Sequence, residues 1–212
     1  MRRLGRRFYS RYTPDVARDM VGAILVRELD GVVTSGRIVE TEAYRGADDP
    51  ASHAYRGRTR RTEVMFGEAG HAYVYFTYGF HYCLNATTET RGSPGAVLIR
   101  AIEPIEGVEV MRERRGVEGL RQLTDGPGKL TKAMGIDLAL NGEDMVVSRK
   151  LYLCEGDPAG PVETSVRVGV SVGRETPWRF FLVDNPFVSR GGTHNYAEQA
   201  RGAKKGSSAR SQ

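Results

Sequence analysis

The chain has 212 residues, 40% of them apolar and 27% charged, long enough to bury a substantial core and ordinary for a soluble globular protein. It contains no apolar run near the ~18–20 residues of a membrane span, and no apolar signal core follows its basic start before Tyr12. The net charge of +5 belongs to the ends: residues 1–12 hold five arginines, residues 201–212 two arginines and two lysines, neither end has an acid, and residues 13–200 sum to −4.

These features predict a cytoplasmic protein with a basic N-terminal arm over 1–12, a body over 13–196 and a disordered basic tail over 197–212. Basic ends of this kind are either flexible arms for a polyanion or solvated termini. Cys83 and Cys154 are too few for a disulfide framework or a zinc site and read as buried free thiols.

In chain order, Thr13-Pro14-Asp15 opens a helix, with Thr13 as N-cap and Val16, Met20 and Val21 following at helical spacing. Residues 23–29 read as a strand, Asp30-Gly31 as a hairpin turn and Val32 to Tyr44 as the partner strand. Residues 45–70, rich in Gly, Arg, Asp and Pro, form a long loop of the kind that carries function. His71 to Asn85 is aromatic and β-branched, with Gly79 dividing two strand-like halves. Ala96 to Ile102 is another strand, stopped by Pro104. A helix over Ile105–Arg115 follows, then a short one between Asp125 and Gly135. Further strands are predicted at Val146–Leu153, Val166–Val172 and Arg179–Val183. Many strands, mostly antiparallel, with three or four helices and no βαβ rhythm, make an α+β fold in one domain.

The chemistry concentrates at Arg37–Tyr44. Strand alternation sends Ile38, Glu40, Glu42 and Tyr44 to one face and Arg37, Val39, Thr41 and Ala43 to the other. Two carboxylates and a ring on one face line a groove or form an exposed pair. Two residues of strand separate the carboxylates by roughly 6.5–7 Å, which touches the ~6.5–9.5 Å window of inverting glycosidases. Arg100 lies inside an apolar strand, where an arginine needs a carboxylate or a polar cavity; Glu42 and Glu40 are the natural partners. Tyr78, beside Gly79, is placed at a loop tip, where an aromatic side chain can wedge between stacked bases. Arg56, Arg58, Arg60 and Arg61 form a tight cationic cluster. Asn85 reads as a turn residue or a polar reader in a pocket. The four histidines lack ligand spacing, so no metal is expected. Gly126-Pro-Gly-Lys129 is not a phosphate-binding loop of the nucleotide-hydrolase type; Lys129 at a helix start binds a single phosphate or belongs to a plain capped helix.

In order, these blocks resemble the alkyladenine (3-methyladenine) DNA glycosylase family. The resemblance rests on Arg37–Tyr44, His53 eleven residues after Glu42, Tyr73–Gly79 followed by Asn85, Ala96–Pro104, Gly126–Leu130 and Arg167–Val170, and it runs from about Thr13 to Ser189. It implies a mixed domain around a curved, mostly antiparallel sheet with a protruding β-hairpin, and no cofactor. It implies further that Glu42 is the general base with Arg100 as its helper. Tyr44, His53 and Tyr75 would then sandwich a flipped base, Asn85 would disfavour guanine, and Tyr78 would fill the gap in the duplex. Arg56, Arg58, Arg60, Arg61 and Lys129 would touch the DNA backbone. The partner would be double-stranded DNA with damaged purines, the enzyme a monomer that leaves an abasic site and acts at the nucleoid. Phe80 and His81 stand where mammalian members carry Met and Tyr, and the arginine loop is about one residue shorter. Two other readings remain open on the residues alone: a non-catalytic nucleic-acid-binding module and a two-carboxylate carbohydrate glycosidase.

Overall fold

A 14-residue strand, β2 (Val32–Arg45), organises the molecule in the computed structural model, which describes residues 1–189. One edge of β2 pairs along most of its length with β5 (Gly95–Glu106). The other edge is shared: β1 (Ile24–Leu29) takes the first half and β8 (Arg179–Leu182) takes Glu40 to Glu42. β3 (Ala72–Thr77) and β4 (His81–Thr88) extend the sheet beyond β5, while β6 (Leu151–Cys154) pairs with β1 and β7 (Val162–Ser165) with β8. Every pairing among the described residues is antiparallel, and the sheet curls into a half-barrel. The expected α+β single domain with a curved sheet and a hairpin is what forms.

The helices α1 (Arg6–Tyr9), α2 (Thr13–Met20), α3 (Val108–Arg115) and α4 (Pro127–Met134) complete the fold, and α2 and α4 cover the sheet. Val16 and Met20 of α2 and Leu130 and Met134 of α4 are fully buried beside Leu25, Ile99 and Ile102. Each such side chain contributes about 1.5–3 kcal/mol by leaving water. Cys83 and Cys154 are buried free thiols.

Several sequence expectations shift for identifiable reasons. Residues 1–12 do not form a separate arm. Leu4 and Tyr9 are buried in the main core, and Arg2, Arg6 and Arg11 pair with Glu155, Asp144 and Asp19. Thr13 is the first residue of α2 rather than its cap, because its hydroxyl is engaged by Thr88 and Glu89. β5 passes through Pro104 to Glu106, tolerated because the pairing with β2 shifts register between Ser35 and Gly36, opposite Glu106 and Pro104. The following helix starts only at Val108, after Gly107 at φ +73°. The expected strand at Val146–Leu153 begins at Leu151, since Asp144 folds the preceding residues into a turn by accepting from the Val146 N–H. Val166–Val172 is a loop: β7 ends at Ser165, and Gly169 turns the chain at φ +76°. The expected tail at 197–212 lies outside the described residues.

The chain also departs from simple alternation inside β2. The pairs Ile38↔Ile102 and Glu40↔Ala101 leave Val39 as an extra residue on β2, and Thr41↔Ile99 then leaves Arg100 as an extra residue on β5. Ile38 and Val39, adjacent in sequence, therefore both pack in the main core. Ile38 does not share the face of Glu40 and Glu42. Bulges re-aim side chains, and this one brings Arg100 against both carboxylates.

Candidate active site

Glu40 and Glu42 are both fully buried, so the exposed-pair reading fails. Arg100 spans them, donating from Nε to Glu40 Oε1 at 2.9 Å and from Nη1 to Glu42 Oε2 at 3.2 Å. Arg179 adds a bond from Nε to Glu40 Oε1 at 2.7 Å. Two carboxylates and two guanidiniums thus close a buried cluster without net charge. Isolated charges would be untenable there; paired and hydrogen-bonded ones persist.

The two carboxylates differ in the groups that hold them. An ionised carboxylate offers about four acceptor positions. Glu40 takes four donors: Arg100, Arg179, the Ser189 backbone N–H at 2.8 Å and the Ser189 hydroxyl at 2.9 Å. Glu42 takes three: Arg100, the Val168 backbone N–H on Oε1 at 2.7 Å and the Tyr44 hydroxyl on Oε2 at 2.8 Å. By atom, Glu40 takes three donors on Oε1 and one on Oε2, and Glu42 takes two on Oε2 and one on Oε1. Burial alone would raise the Glu40 pKa, but Arg100 and Arg179 outweigh it and hold the carboxyl below its usual range. Burial and then the Glu42 carboxylate push the Tyr44 hydroxyl well above its ordinary value. For Arg100 burial acts downward, and Glu42 and Glu40 more than restore the charged form.

A second buried ion pair fixes the other two donors of Glu42. Arg167 donates to Asp49 through Nη1 at 2.6 Å and Nη2 at 2.8 Å, and also to the Ala43 carbonyl at 3.0 Å. It thereby ties the loop carrying Val168 to β2 between Glu42 and Tyr44. Its guanidinium lies 4.8 Å from the Tyr44 ring centroid, within cation–π range.

Tyr44, Arg100 and Val168 form part of the wall of a cavity of about 500 Å³, within the size range of small-molecule pockets. His53, Tyr75, Cys83, Asn85 and Leu98 line the same cavity. The carboxylate of Glu42 lies directly behind that wall. His53 stands edge-on to Tyr75 with ring centroids 4.7 Å apart, and its Nδ1 is 2.9 Å from the Tyr73 hydroxyl. One edge of this imidazole is open to solvent, while packing against the two tyrosines and then the charge of Arg61 lower its pKa from 6.5 to about 4. It is neutral at physiological pH. Burial and then Cys83 raise the Tyr75 hydroxyl well above its ordinary value. Asn85 donates from Nδ2 to the Tyr73 carbonyl at 3.0 Å, which fixes its amide at the pocket wall. It is a buried pocket residue in mid-strand rather than a turn residue.

The β3–β4 hairpin ends in Tyr78 and Gly79 at φ +53° and +76°. Both left-handed positions suit a primed turn, but only Gly adopts one freely. Tyr78 is 78% exposed at this tip and lines the cavity mouth. A bulky left-handed residue with no core to fill is a strained feature of the kind found at functional sites. Arg56 lines the cavity, and Arg61 lies 5.0 Å from the Tyr75 ring. Arg58 pairs with Glu63 at 3.1 Å, while Arg60 is exposed in the same loop. Lys129, at the start of α4, is tied to Asp125 at 2.7 Å. Among the described residues no three His, Cys, Asp or Glu side chains gather as metal ligands, and no helix is long and apolar enough to cross a membrane.

Residues 7–186 match the model of the family described as methylpurine-DNA glycosylase. The chain belongs to this family. Its curated relatives include a protein of Carboxydothermus hydrogenoformans, 48% identical over 189 residues that cover 88% of this chain and 98% of the relative. A second, from Desulfitobacterium hafniense, is 48% identical over 202 residues, covering 89% and 99%. A third, from Methanoculleus marisnigri, is 48% identical over 191 residues, covering 86% and 96%. Each carries the description "Putative 3-methyladenine DNA glycosylase".

For this member of the methylpurine-DNA glycosylase family, the sequence reading brought together Glu42, Arg100, Tyr44, His53, Tyr75 and Asn85. It missed Arg179, Arg167, Asp49 and Ser189, on which the first group depends. The signal for two of them was present: Arg167 and Arg179 each lie in or beside an apolar stretch, as Arg100 does, and the same demand for a buried partner applies. Asp49 and Ser189 carry no such mark, because only the folded chain brings them to those arginines.

Proposed function

We propose that this methylpurine-DNA glycosylase excises alkylated or deaminated purines from double-stranded DNA by hydrolysing the N-glycosidic bond, leaving an abasic site. The observation that carries the mechanism is the placement of the two carboxylates: all three donors of Glu42 (Arg100, Tyr44 and Val168) line the cavity, whereas Glu40 is otherwise held by Arg179 and Ser189, which do not. A base must accept a proton from water held against the substrate, and of the pair Glu42 is the one set beside the cavity. The pair therefore does not divide into acid and base, which removes the ground for a two-carboxylate carbohydrate glycosidase.

The target nucleotide leaves the stack because its C1′ is unreachable inside a duplex. The extruded purine enters the cavity beside Tyr44, His53 and Tyr75. The electron-rich ring faces favour a base made cationic by alkylation, and such a base is already a good leaving group. Neutral His53 adds no opposing charge. Asn85, held by the Tyr73 carbonyl, narrows the pocket against an exocyclic amine of guanine. Tyr78 fills the gap left in the duplex, and Arg56, Arg58, Arg60, Arg61 and Lys129 engage the backbone. The wall must open for water to reach Glu42. The Tyr44 hydroxyl, its uncharged side-chain donor, can yield there without unpairing a charge. Water then attacks C1′ as Glu42 takes its proton, and the carboxylate stabilises the developing oxocarbenium charge. The enzyme acts as a monomer on chromosomal DNA in the cytoplasm.

The deciding experiment measures base release from duplexes carrying 3-methyladenine, hypoxanthine or 1,N6-ethenoadenine, with wild type and Glu42→Gln. Release by wild type, lowered about 10²–10⁴-fold in the variant with duplex binding retained, is expected. Undiminished release by the variant overturns the mechanism. Tight binding without release by wild type makes the protein a binding module instead.

A further inference from the structure

Glu40 is a buried ionised group with no part in bond cleavage, yet it is more heavily anchored than the base beside it. Arg179, itself fully buried, reaches it from β8 and is held in turn by the Ser165 hydroxyl at 2.8 Å. Ser189 closes the other side with its N–H and its hydroxyl. Arg100 sits on the β5 bulge, out of the regular pairing that fixes its neighbours. Its direction is therefore set by its two carboxylate partners, Glu40 at 2.9 Å and Glu42 at 3.2 Å. The shorter bond, to the more rigidly held partner, is the one to Glu40.

We propose that Glu40 is a positioning residue for the reaction: its charge holds Arg100 across Glu42 and balances the two arginines, so that the base is oriented without being over-stabilised as an anion. This rests on the assignment of Glu42 as the base. The groups facing Glu42 are Arg100 on β5, Tyr44 on β2, Cys83 on β4, and the Val168 N–H with Arg167 and Asp49 behind it; Arg179 acts through Glu40. Neutralising Glu40 leaves this surround with one positive charge in excess.

Glutamine cannot replace this carboxylate. With its oxygen toward the two arginines, its amide N–H₂ faces the Ser189 N–H, donor against donor. Turned the other way, the N–H₂ faces Arg100, Arg179 and the Ser189 hydroxyl. Arg100 keeps a neutral acceptor in the first orientation and loses it in the second, and in both it loses the charge of Glu40.

The test is single-turnover release of 3-methyladenine from a duplex, measured against pH for the full chain and for Glu40→Gln, Glu40→Asp and Glu42→Gln. This cationic leaving group needs no proton, so the acid limb of the rate reports the carboxylate base. For Glu40→Gln the rate is expected to fall about 10–100-fold while duplex affinity changes little, the pattern of a group acting at the transition state. Its acid limb is expected to move about one unit to lower pH, because the excess positive charge keeps Glu42 ionised further into acid. Glu40→Asp restores the charge with a shorter reach, so its acid limb returns toward wild type while its rate stays low. An unmoved acid limb, or a rate loss matched by an equal loss of duplex affinity, overturns the proposal. Should Glu40→Gln not fold, Glu40→Asp with a shifted acid limb would overturn it equally. A dead Glu42→Gln beside an unaffected Glu40→Gln refutes the positioning role alone, whereas an active Glu42→Gln refutes the base assignment.

Discussion

Asp49→Asn tests whether the Arg167 clamp is held by charge. Arg167 and Asp49 are essentially inaccessible to water and joined by two bonds of 2.6 and 2.8 Å. Replacing the carboxylate by an amide leaves the guanidinium buried with one acceptor in place of two and no counter-charge. Breaking a buried pair this way costs about 3–5 kcal/mol, and the retained acceptor places this case toward the lower end. For a chain of this size each kcal/mol moves the melting temperature by about 2–4 °C, so a fall of about 6–12 °C is expected from thermal unfolding. Adding Arg167→Met removes the stranded cation with an apolar chain of similar length. The double variant is expected to be more stable than the sum of the single changes by about 2 kcal/mol or more. Base release should remain slow in it, because Val168 and Ala43 are no longer tied together. Additive stability losses, or a melting temperature within about 2 °C of wild type in Asp49→Asn, would show that the pair is not a coupled unit.

Tyr78→Ala should weaken excision most in stable duplexes and least in single strands, and equal losses on both substrates would remove the wedge role. Tyr78→Gly, which relieves the left-handed strain at φ +53°, should match or exceed wild type in thermal stability while losing the same activity; lower stability would mean that the ring packs usefully in the free protein. His53 has a folded pKa of about 4 against an ordinary 6.5. Its contribution to stability is therefore present above pH 6.5 and is lost as the pH falls toward 4. Melting curves across this window should fall less steeply for His53→Asn than for wild type, and identical slopes would mean that the imidazole is not held neutral by its packing.

Much of the frame was legible because it depends on local signals. The Asp30-Gly31 turn, with both residues at positive φ, follows from residue types that tolerate such backbone, and Gly79 marks the β3–β4 hairpin. Glu42, Tyr44 and Arg100 were marked by polar groups placed where apolar ones belong. The bulges were not legible. Nothing in Ile38-Val-Glu40 or Ile99-Arg-Ala101 announces an extra residue, because the choice between pairing and bulging is made by contacts across strands. The same holds for the loop at Val166–Val172, whose apolar residues resemble a strand but whose Val168 N–H is claimed by Glu42. At the N-terminus, charge obscured the role of Leu4 and Tyr9, two apolar anchors among five arginines. In each case a long-range contact overrode a local preference.

The bonds from Ser189 to Glu40 close the widest span in the site, 149 residues along the chain. A ribosome extends a chain at about 5–20 residues per second, so β2 is made many seconds before the serine that helps anchor Glu40. Until then Glu40 lacks two of its four donors, and Arg179 and Val168 also arrive late. A growing chain therefore presents its hairpin and arginines before the buried cluster around Glu40 and Glu42 can close.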